Sequence, residues 1–184
     1  MTHPKYYAPT GGHPGQEQLL TDRAMFTDAY AVIPKGTMRD IVTSNLPFWT
    51  KTRVWVLARP LSGFAETFSQ YIMELQPGGG SDRPETDPKA QGVLFVAEGA
   101  ISLTIEGETH VMEPGGYAYL PAGSKWTVHN HAGPIARFHW VRKAYEAVDG
   151  LDRPEPFVTN EQDVAPNPMP GTEGRWATTR FVEP

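Results

Sequence analysis

The chain has 184 residues, enough for one domain with a real hydrophobic core and for arms beside it, but too few for two complete domains. Its 39% hydrophobic and 11% aromatic content is that of a globular protein, and a formal net charge of -5 gives no basis for a nucleic-acid or membrane partner. Cysteine is absent, which excludes disulfides, thiolate metal sites and a cysteine nucleophile.

The N-terminal stretch MTHPKYYAPTGGHPGQEQ is polar and rich in turn residues. It has no apolar run of the length a signal peptide or a membrane span needs, so a cytoplasmic location is expected. Residues 1–44 read as an N-terminal arm. Strand-like pieces in AYAVIP and RDIVTSNLPFW, broken by Pro34 and Pro47, extend the main sheets or reach to a neighbour. Residues 45–148 read as the domain itself, because Pro and Gly fall there between short apolar or alternating runs. The runs are RVWVLAR, TFSQYIMEL, VLFVAEG, ISLTIEG, THVMEPGGYAYLP, KWTVHNH and ARFHWVRKAY. None sustains a 3.6-residue apolar period, so the class is all-β, a sandwich or a barrel, with helix a minor component. Residues 149–184 hold six prolines and little alternation, and read as a Pro-rich linker arm.

Two boxes lie between Pro77 and Asn130. In the second, Gly115 is followed after five residues by Pro121, Ala122 and Gly123, after two more by Trp126, and after three more by Asn130. The first closes in GVLFVAEG, where six residues separate Gly92 from Gly99. Turn chemistry accounts for the glycines and prolines: the Gly115-Gly116 pair tolerates positive φ, and Pro121 with Gly123 returns the chain so that position 126 points inward.

These spacings resemble the cupin family, whose motifs are G(X)5HXH(X)3-4E(X)6G and G(X)5PXG(X)2H(X)3N. The resemblance implies a cupin barrel, a jelly roll or double-stranded β-helix, with a metal held by the His and Glu positions. Here Trp126 stands at the second-motif histidine and Gly92 at the glutamate. Counting back puts Glu85 and Asp87 at the two first-motif histidines, or Thr86 and Pro88 with the shorter spacing. Manganese, iron or zinc needs about three or four convergent nitrogen and oxygen ligands. The barrel is therefore expected to be metal-free, with no catalytic or cofactor-binding residue and with Trp126 filling the metal's place.

Other candidates have bland readings. His129 and His131 in HNH share a strand face, but the period of two puts them opposite Trp126, Val128 and Asn130. His139 lies on the face of Arg137 and Val141, away from Phe138 and Trp140, and reads as a hydrogen-bonded structural histidine, with lining a pocket as the alternative. PGGGS follows the strand ending at Leu75 with no helix to supply amides, so it is a poor phosphate loop. Glu74, Glu98 and Glu106 sit at strand ends or turns.

Longer phrases carry a closer resemblance: RPLSGFAETFSQYIMELQPGGGSDRPE, LFVAEGAISLTIEG, PGGYAYLPAG, FHWVRKAYEAVDG and TNEQDVAPNPMPGTEGRWATTRFV. From about Thr21 to Pro184 the chain is similar to the N-terminal part of the (S)-ureidoglycine aminohydrolase family, bicupins of purine and allantoin catabolism also labelled glyoxylate-induced proteins. The family implies hydrolysis of ureidoglycine to ureidoglycolate and ammonia, with manganese in a second cupin and homo-oligomers. No catalytic or metal position of that second barrel has a counterpart here, so this chain alone is expected to be inactive. Three readings stay open. One is the non-catalytic half of such an enzyme. Another is a metal-free barrel that binds a small molecule near Arg53, Arg59, Arg137 or Lys125. The third is a dimerisation module using Trp49, Trp55, Trp140 or Trp176.

Overall fold

The computed structural model describes residues 25–26, 30–33, 42–43, 46–58, 67–131, 133–168, 171, 173–174 and 176–182. All regular structure among them is β. Short pieces come first: β1 (Met25–Phe26), β2 (Ala31–Val32) and β3 (Val42–Thr43). The barrel strands follow: β4 (Thr50–Ala58), β5 (Phe68–Ser81), β6 (Ala90–Glu98), β7 (Ile101–Ile105), β8 (Glu108–Met112), β9 (Gly116–Leu120), β10 (Trp126–Asn130) and β11 (Ala136–Ala144). β12 (Phe157–Asn160), β13 (Asn167–Pro168) and β14 (Ala177–Thr178) complete the chain. Each of the seven runs read in residues 45–148 overlaps a strand, with THVMEPGGYAYLP divided between β8 and β9.

The strands pair antiparallel in the order β12-β9-β6-β11-β5-β10-β7-β8, with β4 on the free stretch of β5 and β3 on β4. β5 joins the two halves of this nearly closed barrel. Its Phe68–Leu75 portion pairs with β11 and β4, and Gly79–Ser81 pairs with β10. The strand thus runs through PGGGS, six residues beyond the end at Leu75 that the sequence suggests. The glycines explain the difference. Gly80 has φ 147°, and a Cβ there would lie 2.1 Å from the Val128 carbonyl oxygen, so only glycine lets β5 bend across β10.

Alternation fills the interior. Ile101, Leu103 and Ile105 of β7, Trp126, Val128 and Asn130 of β10, and Ala136, Phe138 and Trp140 of β11 are all buried, and the residues between them are partly exposed. With Met73, Leu75, Leu94, Val96 and Leu120, all of these but the polar Asn130 form one core. Each fully buried Leu, Met or Phe contributes about 1.5–3 kcal/mol relative to exposure.

The outer face of the larger sheet is also covered. Registry aligns Trp55, Ile72, His139, Phe95 and Tyr117 in one row across β4, β5, β11, β6 and β9. Residues read from sequence as an arm close one end of it. β12 pairs with β9, Phe157 stacks on Tyr117 at 5.7 Å, and Phe181 stacks on Tyr117 at 4.5 Å. No helix among the described residues is long and apolar enough to cross a membrane.

Candidate functional site

The loop between β5 and β6 and the turn before β10 form one mouth of the barrel. Glu85, Asp87, Gly92 and Trp126, the four positions singled out by motif spacing, all line a single cavity there of about 180 Å³, together with Thr86 and Pro88. The positions that motif spacing aligns are thus neighbours around one cavity.

Their chemistry is not that of a metal centre. Trp126 is 8% exposed and sits edge-on to Trp140, 7% exposed, with ring centroids 5.8 Å apart. Trp140 also packs against Trp49 at 5.8 Å and Tyr71 at 5.5 Å, so four aromatic rings crowd this end of the barrel. Gly92 faces the same space. A Cβ on Gly92 would meet the Trp140 Nε1 at 3.0 Å and the Val141 carbonyl oxygen at 3.1 Å, so the indole occupies the room that a ligating glutamate needs.

Glu85 is committed elsewhere. Arg142 Nε donates to Glu85 Oε2 at 2.6 Å and Arg142 Nη2 to Oε1 at 2.7 Å, a two-point pair; the amides of Thr86 and Asp87 each donate to Oε1 at 2.9 Å. Burial works against the Arg142 charge, but Glu85 and a hydrogen bond with Tyr71 outweigh it and hold the guanidinium's pKa above its ordinary value. Arg142 also lies 5.6 Å from the Trp140 ring. Asp87 is exposed and its Oδ1 accepts the Lys89 amide at 2.9 Å. Among the described residues no three His, Asp or Glu side chains are grouped to hold a cation. The residues at the cupin ligand positions do not fit a manganese ion.

Asn130, the last residue of the second box, has a structural task. Its carboxamide is 2% exposed and donates to the carbonyls of Leu75 at 3.2 Å and Pro134 at 2.7 Å, and it accepts the Gly133 amide at 3.2 Å. This ties the β10–β11 connection to β5 and explains why the box persists without its metal ligand.

The remaining candidates lie away from the mouth. His129 and His131 stack on the outer surface at 5.4 Å, and the His129 Nε2 is 3.0 Å from Asp82 Oδ1. His139 is on the outer face between Ile72 and Phe95. Its Nδ1 has no hydrogen-bond partner among the described residues, so any hydrogen bond of the ring there is left to Nε2. Burial lowers its pKa. Arg137 is held on that face by Glu74, with Nε to Oε2 at 2.8 Å, and by Glu98. Arg53 lies 3.7 Å from the same Glu74. These ion pairs take both arginines out of the mouth. Lys125 lines an adjoining cavity, and Arg59 falls outside the described residues. Sequence reasoning missed Arg83, Trp140 and Arg142. Trp140 was read only as lying with Phe138 opposite His139, and period two from it carries Arg142 to the same end of the strand.

Residues 71–142 match the cupin domain family. A protein of Oryza sativa subsp. japonica named as an (S)-ureidoglycine aminohydrolase is 34% identical over 108 residues, covering 58% of this chain and 32% of the rice protein. The crystal structure of a glyoxylate-induced protein from Pseudomonas aeruginosa is 65% identical, with a TM-score of 0.81, covering 98% of this chain and 65% of that one. Protein Ylba from E. coli shares the fold, with a TM-score of 0.71 at 24% identity over 83% of this chain and 61% of that one. The chain thus spans less than two thirds of the length of each of these relatives. By the matched family and the sheet order, residues 71–142 form a cupin domain.

Proposed function

We propose that this chain is the N-terminal, non-catalytic barrel of an (S)-ureidoglycine aminohydrolase, a cytoplasmic homo-oligomer that converts ureidoglycine to ureidoglycolate and ammonia. The observation that carries this reading is the mouth itself: a cupin box with intact spacing whose ligand positions hold Trp126 and Gly92, the latter covered by Trp140. Similarity to the rice protein supports the choice of reaction, and the near full-length similarity to the Pseudomonas protein supports the place in a longer chain.

In this reading manganese belongs to a second cupin, where it would orient the ureide substrate and support charge development at the reacting carbon. The present residues build a rigid neighbour for that site. The outer-face aromatic row and the docked 176–182 segment fix where the chain leaves the barrel, and the Glu85–Arg142 pair braces one side of the mouth.

A fusion tests it. The C-terminal cupin of the Pseudomonas protein would be joined after Pro184, and ammonia release from (S)-ureidoglycine measured with manganese for the fusion and for the 184-residue chain. The reading expects turnover from the fusion alone. A folded, manganese-loaded fusion without turnover, or turnover by the short chain, would refute it.

A further inference from the structure

The cavity at the mouth is small, partly open and polar, and its groups are not all spent on each other. Glu85 is neutralised by Arg142, as described. Arg83 is different. The residue lines the cavity, its guanidinium has no carboxylate within ion-pair distance among the described residues, and its Cζ lies 5.0 Å from the centroid of the Phe48 ring. That geometry is built. Ser81 is 2% exposed; its hydroxyl donates to the Phe48 carbonyl at 2.7 Å and accepts the Arg83 amide at 3.1 Å. Phe48 is held at φ 67°, a conformation that costs a non-glycine residue about 1–2 kcal/mol. The chain therefore accepts local strain to seat an aromatic platform beneath this one cation.

The floor supplies neutral donors. Trp126 and Trp140 line the cavity, and neither indole N–H donates to a protein acceptor among the described residues. Neither is sealed away, because the one buried side-chain nitrogen or oxygen without a partner among those residues is His139 Nδ1. The Trp140 Nε1 lies against Gly92, at the wall of the cavity. Ser124 adds a hydroxyl at the rim. One cation beside neutral donors, over a buried aromatic floor, matches a group with two acceptor oxygens and one negative charge. Asp87, exposed at the edge, is the one carboxylate there without a cationic partner, and it disfavours polyanions.

We propose that the barrel mouth binds a small monocarboxylate, on the Arg83 guanidinium and the indole N–H groups of Trp126 and Trp140. A volume of about 180 Å³, below the usual range of drug-sized pockets, suits a compact metabolite. The site does not depend on the reaction proposed above, since it uses only residues of this barrel and requires no metal.

The test is a nitrogen-15 NMR titration of the indole N–H signals of the 184-residue chain, which has five tryptophans. The Trp126 and Trp140 signals are assigned by Trp126→Phe and Trp140→Phe. Probes are acetate, glyoxylate and N-carbamoylglycine, with acetamide as the neutral match and methylammonium as the cation. At least one carboxylate is expected to shift both signals saturably at millimolar concentration, and acetamide and methylammonium are not. Arg83→Gln, at an exposed position, is expected to weaken binding about tenfold, as loss of one charge-assisted hydrogen bond does, with no change in thermal midpoint. Lys125→Gln is expected to leave it unchanged. The proposal is overturned by an absence of shifts with all three carboxylates, by equal shifts with acetamide, or by Arg83→Gln binding as the parent does.

Discussion

Adding a single methyl group at Gly92 tests whether Trp140 holds the space of the missing ligand. An alanine Cβ there would lie 3.0 Å from the Trp140 Nε1, 3.5 Å from its Cδ1 and 3.1 Å from the Val141 carbonyl oxygen. Comfortable contact begins at about 3.5 Å, so the nearest atoms must yield by about half an ångström. The carbonyl is fixed, because β11 and β6 are paired from Phe138↔Val96 through Arg142↔Gly92 to Ala144↔Ala90. The indole is fixed too, between Trp49, Tyr71 and Trp126. Overpacking of this kind costs about 1–3 kcal/mol, and the lower backbone entropy of the unfolded alanine chain returns about 0.4–1 kcal/mol. Gly92→Ala should therefore destabilise by about 1–2 kcal/mol. In a Trp140→Phe background the Nε1 contact is gone and the same change should cost about 1 kcal/mol less, a coupling within the range of touching residues. Urea unfolding followed by far-ultraviolet circular dichroism reads all four proteins of the cycle. A neutral or stabilising Gly92→Ala, or an equal cost in both backgrounds, would refute the packing argument.

Glu85→Gln should destabilise the chain by about 1–3 kcal/mol, since Arg142 is only 26% exposed and would keep its charge with its acceptor weakened. Hydrogen exchange at the Thr86 and Asp87 amides, which donate to Glu85, should quicken in the same variant. Asn130→Ala leaves the Leu75 and Pro134 carbonyls and the Gly133 amide without their partner and should cost about 2–4 kcal/mol in denaturant. His139 gives an acid-side signature. Burial lowers its pKa below 6.5, so the folded imidazole resists a proton that the unfolded one accepts. Its burden on stability is absent above the unfolded value and grows as pH falls through it, levelling off below the folded pKa. Its ladder neighbours Ile72 and Phe95 are uncharged, and the nearest charge on its strand, Arg137, is paired with Glu74 and Glu98. His139→Phe should therefore gain on the parent between about pH 7 and about pH 5 in parallel urea titrations. A constant difference would count against the buried neutral imidazole.

The barrel was legible because strand and turn signals are local. Alternation placed Trp126, Val128 and Asn130 inside and His129 and His131 outside, and motif spacing put Glu85, Asp87, Gly92 and Trp126 around one cavity. Interactions between distant strands were less legible. The Glu85–Arg142 pair spans 57 positions and the Arg137–Glu74 pair 63, so period-two counting did not link either arginine to its partner. The strand through PGGGS was hidden for a related reason: glycine clusters signal a turn locally, whereas here Gly80 serves the close approach of β10. The 149–184 segment has little alternation, and its docking depends on Phe157 and Phe181 meeting Tyr117, which no local pattern shows.

The most direct test of the central claim, that aromatic rings and an ion pair have replaced a metal centre in this mouth, is the manganese stoichiometry of the purified chain. Equilibrium dialysis against manganese, followed by elemental analysis, gives one number. The account predicts no stoichiometric manganese in the parent or in Glu85→Gln. One manganese per chain, lost in Glu85→Gln and quenching the fluorescence of Trp126 and Trp140, would contradict it.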